Sequence, residues 1–314
     1  MSSTSLESTM LRRLRLHHLK LISELHDSRG VLKTSQRLNL TQPAITKALS
    51  DIERALNVTL FERTNRGLKP TRYGDILARH AKAILAQVHH AADEIEDIRI
   101  GYSGHVTVGT LLAASASLLP EAIAHLKRDR PELTITVIEG TYDALLPALQ
   151  RGEIDIVLGR LATENRSADL CYEEFYSEPT CLVVRRGHPL AGETGLELEH
   201  LVDQPWLIPV QETALRRQIE AAFAAAGTRL PSNITESVST LTNRALLQMT
   251  DCICVVPYHV VLADLKAGLL SMLPVKLQAT TGPVGAITRK GQELPPAAQL
   301  LLNELRVIAR TIES

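Results

Sequence analysis

The apolar positions of the first sixty residues recur every three or four residues, which is helical spacing. They predict three helices, over 11–26, 31–38 and about 42–56. The second and third helices are separated by a tight turn at Asn39, where an αL conformation is tolerable for asparagine. A short helix, a tight turn and a second helix together form a helix-turn-helix pattern.

The third helix has a clear start signal in the segment Leu40-Thr41-Gln42-Pro43. Thr41 is expected to cap the helix with its hydroxyl. Pro43 falls in the first turn, where its missing N–H has no intrahelical partner to lose. One face of the helix is apolar, and another carries hydrogen-bonding side chains. This polar stripe consists of Gln42, Thr46, Lys47 and Ser50.

The segment from Arg72 to Arg99 contains no proline, and its only glycine is Gly74. Its apolar residues are spaced alternately by four and three, as in the seam of a coiled coil. Two interpretations are open: the helix pairs with a second copy, or it lies as one amphipathic helix on its own domain. The predicted seam consists of Leu77, Ala81, Ile84, Val88, Ala91, Ile95 and Ile98.

Beyond a glycine-containing linker at 101–104, short apolar strands alternate with helices. The order over 105–160 is strand, helix, strand, helix, strand, which predicts parallel strands with right-handed crossovers. A second α/β set spans about 180–270, and the chain ends with a strand at 284–290 and a helix at 295–312. We expect two lobes that bind a ligand where the carboxyl ends of their strands meet.

Charge is distributed unevenly, although the net charge of the 314-residue chain is only −1. Residues 1–72 contain 13 Lys or Arg against 6 Asp or Glu, so this segment carries +7 and the remainder −8. A basic head on an acidic body is expected when one end meets a polyanion. With the helix-turn-helix pattern, this asymmetry favours DNA binding over an ordinary solvated helix face.

The polar stripe provides the candidate base contacts. Gln42 can pair with adenine N6 and N7 in the major groove, and Lys47 can reach a phosphate or guanine O6 and N7. Pro43 and Thr46 are placed for a thymine methyl group. The full set of predicted DNA contacts is Thr41, Gln42, Pro43, Thr46, Lys47, Ser50, Arg63, Arg66 and Lys69.

The last three of these residues belong to a predicted hairpin around the turn-forming cluster Thr-Asn-Arg-Gly. Arg66 lies beside Gly67 at the tip, where it can enter a minor groove or hold a phosphate. Arg63 has two interpretations, a DNA contact or a structural pair with a nearby carboxylate.

The segment QRLNLTQPAITKALSDIERALNVTLFERTNRGLKPTRYG, residues 36–74, resembles the DNA-binding region of LysR-type transcriptional regulators. The resemblance continues through the linker helix and through GEIDIVLGR, so it covers essentially the whole chain. Four departures from the family pattern are evident. Thr34-Ser35 replace the usual alanine pair, and Asn57 replaces a glycine. Ser50 occupies a position where arginine is frequent, and residues 250–254 replace a Gly-x-Gly-Ile-Ala stretch.

The resemblance implies an α/β protein with an N-terminal winged helix-turn-helix, a long linker helix and a two-lobed effector domain like the periplasmic binding proteins. The implied domains are 1–72 for DNA binding, 73–103 for the linker helix and hinge, and 104–314 for effector binding. Within the last, lobe 1 comprises about 104–179 and 275–314, and lobe 2 about 180–274.

The resemblance also implies an activator or repressor that binds promoter DNA sequence-specifically and responds to a small metabolite between the lobes. The helix starts at the strand ends favour an anionic metabolite, whereas Glu139 or Asp143 pointing inward would favour a polyol or an amine. The implied assembly is a dimer through the linker helix, and further a tetramer. RNA polymerase is a further candidate partner, and no cofactor is expected.

The predicted effector contacts are hydroxyl-bearing or small residues at strand-to-helix turns, where free helix N–H groups can meet an anion. In LysR-type regulators that bind carboxylates, residues at the positions of Ser115 and Thr141 often meet the ligand. The alternative is that both side chains simply cap their helices. The set consists of Thr110, Ser115, Ser117, Thr141 and Val210.

An enzyme is not expected, since no P-loop, Gly-x-Gly-x-x-Gly, His-Glu-x-x-His or Gly-x-Ser-x-Gly pattern occurs. The alternative function is a two-lobed binding protein or enzyme with an N-terminal interaction domain. A metal at Cys252 and Cys254 would have only His259 nearby, so none is expected. No signal-type apolar segment or membrane-length stretch of about 18 residues occurs, which predicts a cytoplasmic protein without membrane contact.

Overall fold

The computed structural model describes residues 6–64, 67–100, 104–162, 166–211, 213–275, 277 and 281–312, without the side chains of residues 93, 94, 96–98 and 100. Two compact units are distinguished within it. The first comprises the described residues up to 100 together with Pro147–Ile154, and the second comprises the rest. In the described part of the chain, no helix combines the length and apolar character needed to span a bilayer.

The first unit contains five helices and a two-stranded hairpin among its described residues. They are α1 (Leu6–Arg13), α2 (Leu16–Ser28), α3 (Val31–Leu38), α4 (Gln42–Leu56), β1 (Phe61–Thr64), β2 (Gly67–Pro70) and α5 (Arg72–Ile100). The helices predicted over 31–38 and 42–56 are confirmed. The helix predicted over 11–26 is instead divided in two, because Arg15 is extended (φ −123°, ψ 160°) and begins α2 as its N-cap.

The apolar face of α4 lies at the centre of the first unit's core. It packs against α2, the hairpin and the first turns of α5. Because this face is fully occupied, the opposite face of α4 is left to solvent. The buried α4 residues are Ile45, Leu49, Ile52 and Leu56.

Two asparagines end the helices of the helix-turn-helix in the left-handed conformation. Asn39 follows α3 with a φ of 52°, and Asn57 follows α4 with a φ of 54°. The N–H of Asn57 donates to the carbonyl of Arg54 at 3.3 Å, and the next N–H, of Val58, donates to Glu53 at 3.2 Å. The left-handed conformation predicted at Asn39 is confirmed, and at position 57 asparagine accepts the conformation that glycine adopts most easily.

The second unit consists of two lobes, each built on one five-stranded sheet. Lobe 1 contains β3 (His105–Thr110), α6 (Leu112–Ser115), α7 (Leu118–Asp129), β4 (Thr134–Glu139), the start of α8 (Tyr142–Arg151), β5 (Ile156–Arg160), β6 (Leu170–Glu178), β12 (Gly282–Arg289) and α12 (Pro296–Ile312). The residues of α8 from Pro147 onward belong to the first unit. Lobe 2 contains β7 (Thr180–Arg185), a 3-10 helix (Leu198–Leu201), β8 (Trp206–Ile208), α9 (Ala214–Ala225), β9 (Ile234–Glu236), α10 (Thr240–Met249), β10 (Ile253–Pro257), α11 (Tyr258–Lys266) and β11 (Leu270–Leu273).

The strand order of lobe 1 is β4-β3-β5-β12-β6, and that of lobe 2 is β11-β7-β10-β8-β9. β3 runs parallel to β4 and β5, which confirms the predicted β-α-β-α-β unit. β12 is antiparallel to both β5 and β6. The chain therefore leaves lobe 1 after β6 and returns to it with β12, as the predicted two-lobed α/β fold requires.

The helix predicted over 115–129 differs from the structure. It is broken at Ser117, whose backbone (φ −133°, ψ −65°) is not helical, so Ser115 ends the short α6 instead of opening a long helix. The sequence interpretation also missed β6, whose pattern mixes charged and aromatic residues, and α11, which follows the apolar strand β10 without a polar break.

The predicted seam of α5 divides into two parts. Leu77 and Ala81 are buried within the first unit, as the single-helix interpretation expects. Ile84, Val88 and Ile95 are exposed by 45%, 44% and 65%. Ala91 is exposed as well, and the side chain of Ile98 lies outside the described residues. The exposed stripe of α5 consists of Tyr73, Ile76, Ile84, Val88, Ala91 and Ile95.

The left-handed end of α4 makes a stability prediction. Asn57→Ala should lower the free energy of unfolding of the first unit by about 1 kcal/mol, since a Cβ-bearing residue without a short polar side chain is strained there. Asn57→Gly should be at least as stable as the parent chain. Urea unfolding followed by circular dichroism measures both, and equal stability of the two variants would contradict the assignment of strain.

Candidate functional site

The start of α4 is held by the predicted cap. Thr41 is extended (φ −77°, ψ 150°), and its Oγ1 accepts the N–H of Ala44 at 3.4 Å. Pro43 lies in the first turn. The cap and the proline fix the direction in which the chain enters α4, so the residues of the first turn are held in one orientation.

The polar stripe of α4 lies on a single solvent-facing surface. Gln42, Pro43, Thr46, Lys47 and Ser50 line this surface, which we call the α4 face, together with Asp51 and Arg54. Arg54 Nη1 lies 3.3 Å from Asp51 Oδ1, and both side chains are more than half exposed. Such an exposed pair is weak, so it leaves both groups available to other partners.

The hairpin is anchored to the helical core beside this face. Leu68 is buried, and its N–H donates to the carbonyl of Arg29 at 2.8 Å. Arg63 and Lys69 are exposed, with Arg63 opposite Leu68 and Lys69 opposite Glu62 in the antiparallel register. Arg66, predicted at the tip, lies outside the described residues.

One positioning residue of this region escaped the sequence analysis. Glu53, on α4, accepts the N–H groups of Leu60 and Phe61 at 2.7 and 3.1 Å through one carboxylate oxygen. It therefore ties the start of the hairpin to α4. A glutamate seven residues before a strand has no distinctive sequence signal, because the contact arises only when the chain turns back.

A cavity of about 420 Å³ lies between the two lobes of the second unit. Lobe 1 contributes residues 111–113, 139–142 and 160, and lobe 2 contributes 207–209, 213–215, 237–241, 243 and 254–257. Most of these residues are apolar. The cavity, which we call the cleft, contains Thr141 of the predicted effector contacts.

The other predicted effector contacts lie elsewhere. Thr110 is 2% exposed, and its hydroxyl donates to the carbonyl of Leu111 at 3.1 Å. The hydroxyl of Ser115 donates to the carbonyl of Leu112 at 2.9 Å, within α6. These hydroxyls are directed to the backbone, so the prediction that they face a ligand is not what the structure shows.

Ser117 and Val210 also lie outside the cleft lining. The Ser117 hydroxyl is buried at the break between α6 and α7. Val210 contributes its carbonyl, which accepts the hydroxyl of Thr213 at 2.9 Å. Thr213 is the residue that lines the cleft, and it caps α9 by accepting the N–H of Arg216 at 3.2 Å.

Arg160 is the cationic side chain of the cleft lining. It ends β5, is 7% exposed, and donates from Nη2 to the carbonyl of Glu178 at 2.9 Å. Its Nη1 donates to Gln218 Oε1 at 3.0 Å, which links lobe 1 to α9 of lobe 2. Burial lowers the pKa of Arg160, yet a guanidinium remains charged at neutral pH.

Hydroxyl-bearing side chains also line the cleft. Tyr142 donates its hydroxyl to the carbonyl of Arg160, and burial raises the pKa of Tyr142 to about 12, so it stays protonated. Thr141, Thr213 and Ser239 line the cleft at the starts of α8, α9 and α10. The carboxylate of the lining is Glu139, an exposed residue at the end of β4.

Sequence analysis overlooked Arg160 although a signal was present. The strand Ile-Val-Leu-Gly-Arg is buried throughout, so an arginine at its carboxyl end enters the region where open α/β sheets bind ligands.

Next to Arg160, Glu178 joins the lobes at the first crossover. It is fully buried, and its Oε1 accepts the backbone N–H of His259 at 2.9 Å and lies 3.0 Å from Nδ1 of the same residue. Burial raises the pKa of Glu178. The connection ties the end of β6 in lobe 1 to the first turn of α11 in lobe 2.

The cysteines of lobe 2 form an apolar cluster. Cys181, Cys252 and Cys254 are buried together, and Cys254 also lines the cleft. Burial raises the pKa of Cys181 to about 12 and raises that of Cys254 as well. Both thiols are therefore protonated at neutral pH, which is unfavourable for metal binding. Across the residues that the structure describes, no three His, Cys, Asp or Glu side chains gather as a metal site would require.

Two family models match the chain. One, described as "LysR substrate binding domain", matches residues 99–308, and the other, described as "Bacterial regulatory helix-turn-helix protein, lysR family", matches residues 16–75. The first match includes all the residues that line the cleft. The second includes the α4 face and the hairpin, and it begins after α1.

Individual proteins are similar over nearly the whole chain. The HTH-type transcriptional regulator GbpR of Azospirillum brasilense is 34% identical over 300 residues, 95% of this chain and 88% of that protein. The regulator PcaQ of Agrobacterium fabrum is 32% identical over 299 residues, 95% and 96% of the two chains. A full-length OxyR variant from Pseudomonas aeruginosa shares the fold, with a TM-score of 0.59 at 22% identity over 95% of this chain and 97% of that chain.

Proposed function

Because the chain belongs to the LysR family of transcriptional regulators, we propose that it reads promoter DNA with the α4 face and the hairpin and responds to a small carboxylate in the cleft. The observation that carries the DNA part is the capped start of α4, which presents a polar stripe above a fully buried apolar face. The alternative of a two-lobed binding protein or enzyme without DNA binding is not favoured, since the helix-turn-helix match is specific to this family of regulators.

The residues of the α4 face are proposed to contact different parts of the DNA, bases or phosphates. Gln42 lies at the start of the helix, where the recognition helix of a helix-turn-helix reaches base edges, and its amide suits adenine. Lys47 is exposed on the same face and carries a charge that suits a phosphate. Pro43, Thr46 and Ser50 complete the surface. Arg63 and Lys69 on the hairpin are proposed as flanking contacts, together with Arg66.

Substitutions at Gln42 and Lys47 should affect DNA binding in different ways. Gln42→Ala should cost about 1–3 kcal/mol at one operator position and relax base choice there. Lys47→Ala should weaken binding to all sequences and reduce the slope of log K against log salt by about 1. Gel-shift series over salt and base substitutions on a duplex selected by the parent chain measure both effects.

Two variants on the second unit serve as matched controls. Gln299→Ala on α12 and Lys266→Ala on α11 each remove an exposed side chain of the matching type, a glutamine and a lysine, outside the α4 face. Neither should change base preference or the salt slope. If Gln42→Ala behaved like Gln299→Ala, the assignment of α4 as the recognition helix would be wrong.

The chemistry of the cleft favours a carboxylate with an apolar body. Arg160 provides a buried guanidinium, and Thr141 and Ser239 add hydroxyl-bearing side chains to the lining. The remaining lining is mostly apolar, so a sugar would leave many hydroxyls unpaired there. A volume of about 420 Å³ accommodates a small molecule. The Arg160 to Gln218 hydrogen bond spans the lobes, so a ligand that binds Arg160 also acts on their connection.

Arg160 should determine the charge preference of the cleft. The full chain can be screened by thermal shift against aliphatic and aromatic carboxylates, their uncharged amides, and sugars. Carboxylates should raise the unfolding temperature more than the amides or sugars do. Arg160→Met should weaken the responding carboxylate about 10- to 100-fold, the loss of one charge-assisted hydrogen bond of about 1.5–3 kcal/mol. Thr141→Val should weaken it less.

Ser115→Ala is the control for this experiment, since its hydroxyl is bonded within α6 and lies outside the cleft lining. It should leave the dissociation constant unchanged. A carboxylate that binds Arg160→Met as tightly as the parent chain, or loses affinity in Ser115→Ala, would place the effector elsewhere.

The exposed stripe of α5 supports an oligomer. We propose that this stripe pairs with that of a second copy to form a dimer, and that dimers associate into a tetramer. Apolar residues on one face of a long helix are removed from water only when another surface covers them. A promoter-binding role also suggests a cytoplasmic location beside the bacterial chromosome, with RNA polymerase as a further partner.

Charges in the exposed stripe should prevent pairing. Ile84→Glu with Val88→Glu should convert the dimer to a monomer, because burial of unpaired carboxylates is strongly unfavourable. His89→Glu, on the opposite side of α5, is the control. Analytical ultracentrifugation with and without a palindromic duplex measures assembly, and a double variant that sediments like the parent chain would contradict pairing through α5.

A further inference from the structure

The helix α1 lies outside the matched helix-turn-helix region, which begins at residue 16. It is nevertheless attached to the same core. Met10 and Leu14 pack against the apolar cluster of α2 and α4, and the N–H of Leu14 donates to the carbonyl of Met10 at 2.9 Å. α1 also packs directly against α4. It therefore has a defined position beside the proposed recognition helix.

The contact between α1 and α4 forms a concave, basic surface. Thr9, Arg12 and Arg13 line it from the α1 side, and Arg54 and Asp51 line it from the α4 side. Arg12 and Arg13 are exposed, and neither forms an ion pair with another described residue. The carboxylate on this surface is Asp51, which is paired with Arg54 at 3.3 Å. Arg12 and Arg13 therefore carry two positive charges that no residue in the described ranges neutralises by an ion pair.

The basic surface is continuous with the α4 face, because Asp51 and Arg54 line both.

The length of α4 indicates what this surface meets. Twelve residues separate Gln42 from Arg54, so they are about 18 Å apart along the helix axis. The major groove is about 12 Å wide. If Gln42 reaches base edges, the Arg54 end extends to the rim of the groove, where the phosphates lie, and α1 extends it further.

We propose that α1 is an additional DNA-binding element, in which Arg12 and Arg13, together with Arg54, bind backbone phosphates that flank the bases read by α4. The inference rests on the proposed DNA-binding function and adds to it a contact outside the matched helix-turn-helix region. Such a contact supplies affinity and register without base preference.

The test compares the parent chain with R12A/R13A on a duplex selected by the parent chain from a random-sequence library. Fluorescence anisotropy over a range of KCl concentrations gives the salt slope. For R12A/R13A we expect a slope smaller by about 1–2 per DNA-binding head, and an affinity loss of about tenfold at low salt that shrinks as salt rises. The base preference should not change.

Two further variants separate a phosphate contact from a structural role. R12K/R13K keeps both charges and should keep the salt slope. R128A/R130A removes two exposed arginines from the second unit and should leave DNA binding unchanged. A duplex trimmed outside the selected sequence should weaken binding by the parent chain but not by R12A/R13A. Thermal unfolding should be the same for all the variants.

An unchanged salt slope in R12A/R13A overturns the inference, and so does an affinity loss that is equal at all salt concentrations or shared by R12K/R13K. Each of these results leaves the proposed function intact, since the parent chain still binds the duplex. A parent chain that binds no duplex at any salt concentration would instead overturn the proposed function, and this inference with it.

Discussion

The first unit depends on the burial of one face of α4. Four aliphatic side chains at helical spacing fill the space between α2, the hairpin and α5. With this face occupied, the polar stripe has one possible orientation, toward solvent. The cap at Thr41 and the left-handed Asn57 then set where the helix begins and ends, and Glu53 fixes the hairpin against it. The solvent-facing orientation of the polar stripe thus follows from the packing of the opposite side of the helix.

The second unit follows a different constraint, the two crossings of the chain between its sheets. The first crossing, after β6, places Glu178 against the start of α11, and Arg160 donates to the carbonyl of the same glutamate. Arg160 also reaches Gln218 of lobe 2. The guanidinium of Arg160, which lines the cleft, is therefore hydrogen-bonded to residues that connect the two lobes. A ligand that binds Arg160 would compete with the hydrogen bonds to Glu178 and Gln218, and would thereby act on the connection between the lobes.

The long helix α5 shows how one heptad pattern serves two surfaces. Its first seam residues, Leu77 and Ala81, are held in the core of the first unit. Farther along, Ile84, Val88 and Ile95 are exposed. Periodicity alone cannot separate these uses, since it reports that a helix face is apolar but not which surface covers it. The same limitation applies to α1, whose arginines line a concave surface only because the helix packs against α4.

Local patterns in the sequence determined the helix-turn-helix and most of the strands. Helix periodicity, the Thr41 cap and Pro43 predicted a helix over about 42–56, where α4 lies, and Asn39 takes the left-handed conformation expected of it. These features depend on residues within one or two helical turns along the chain, so they can be recognised from the sequence alone. The lining of the cleft did not follow from such patterns. Hydroxyls such as that of Ser115 turned to the backbone, while Arg160 acquired its position from strands and helices that are distant in sequence. Only the tertiary structure decides which side chains line a cleft, because a cleft is formed by the packing of segments that meet nowhere along the chain.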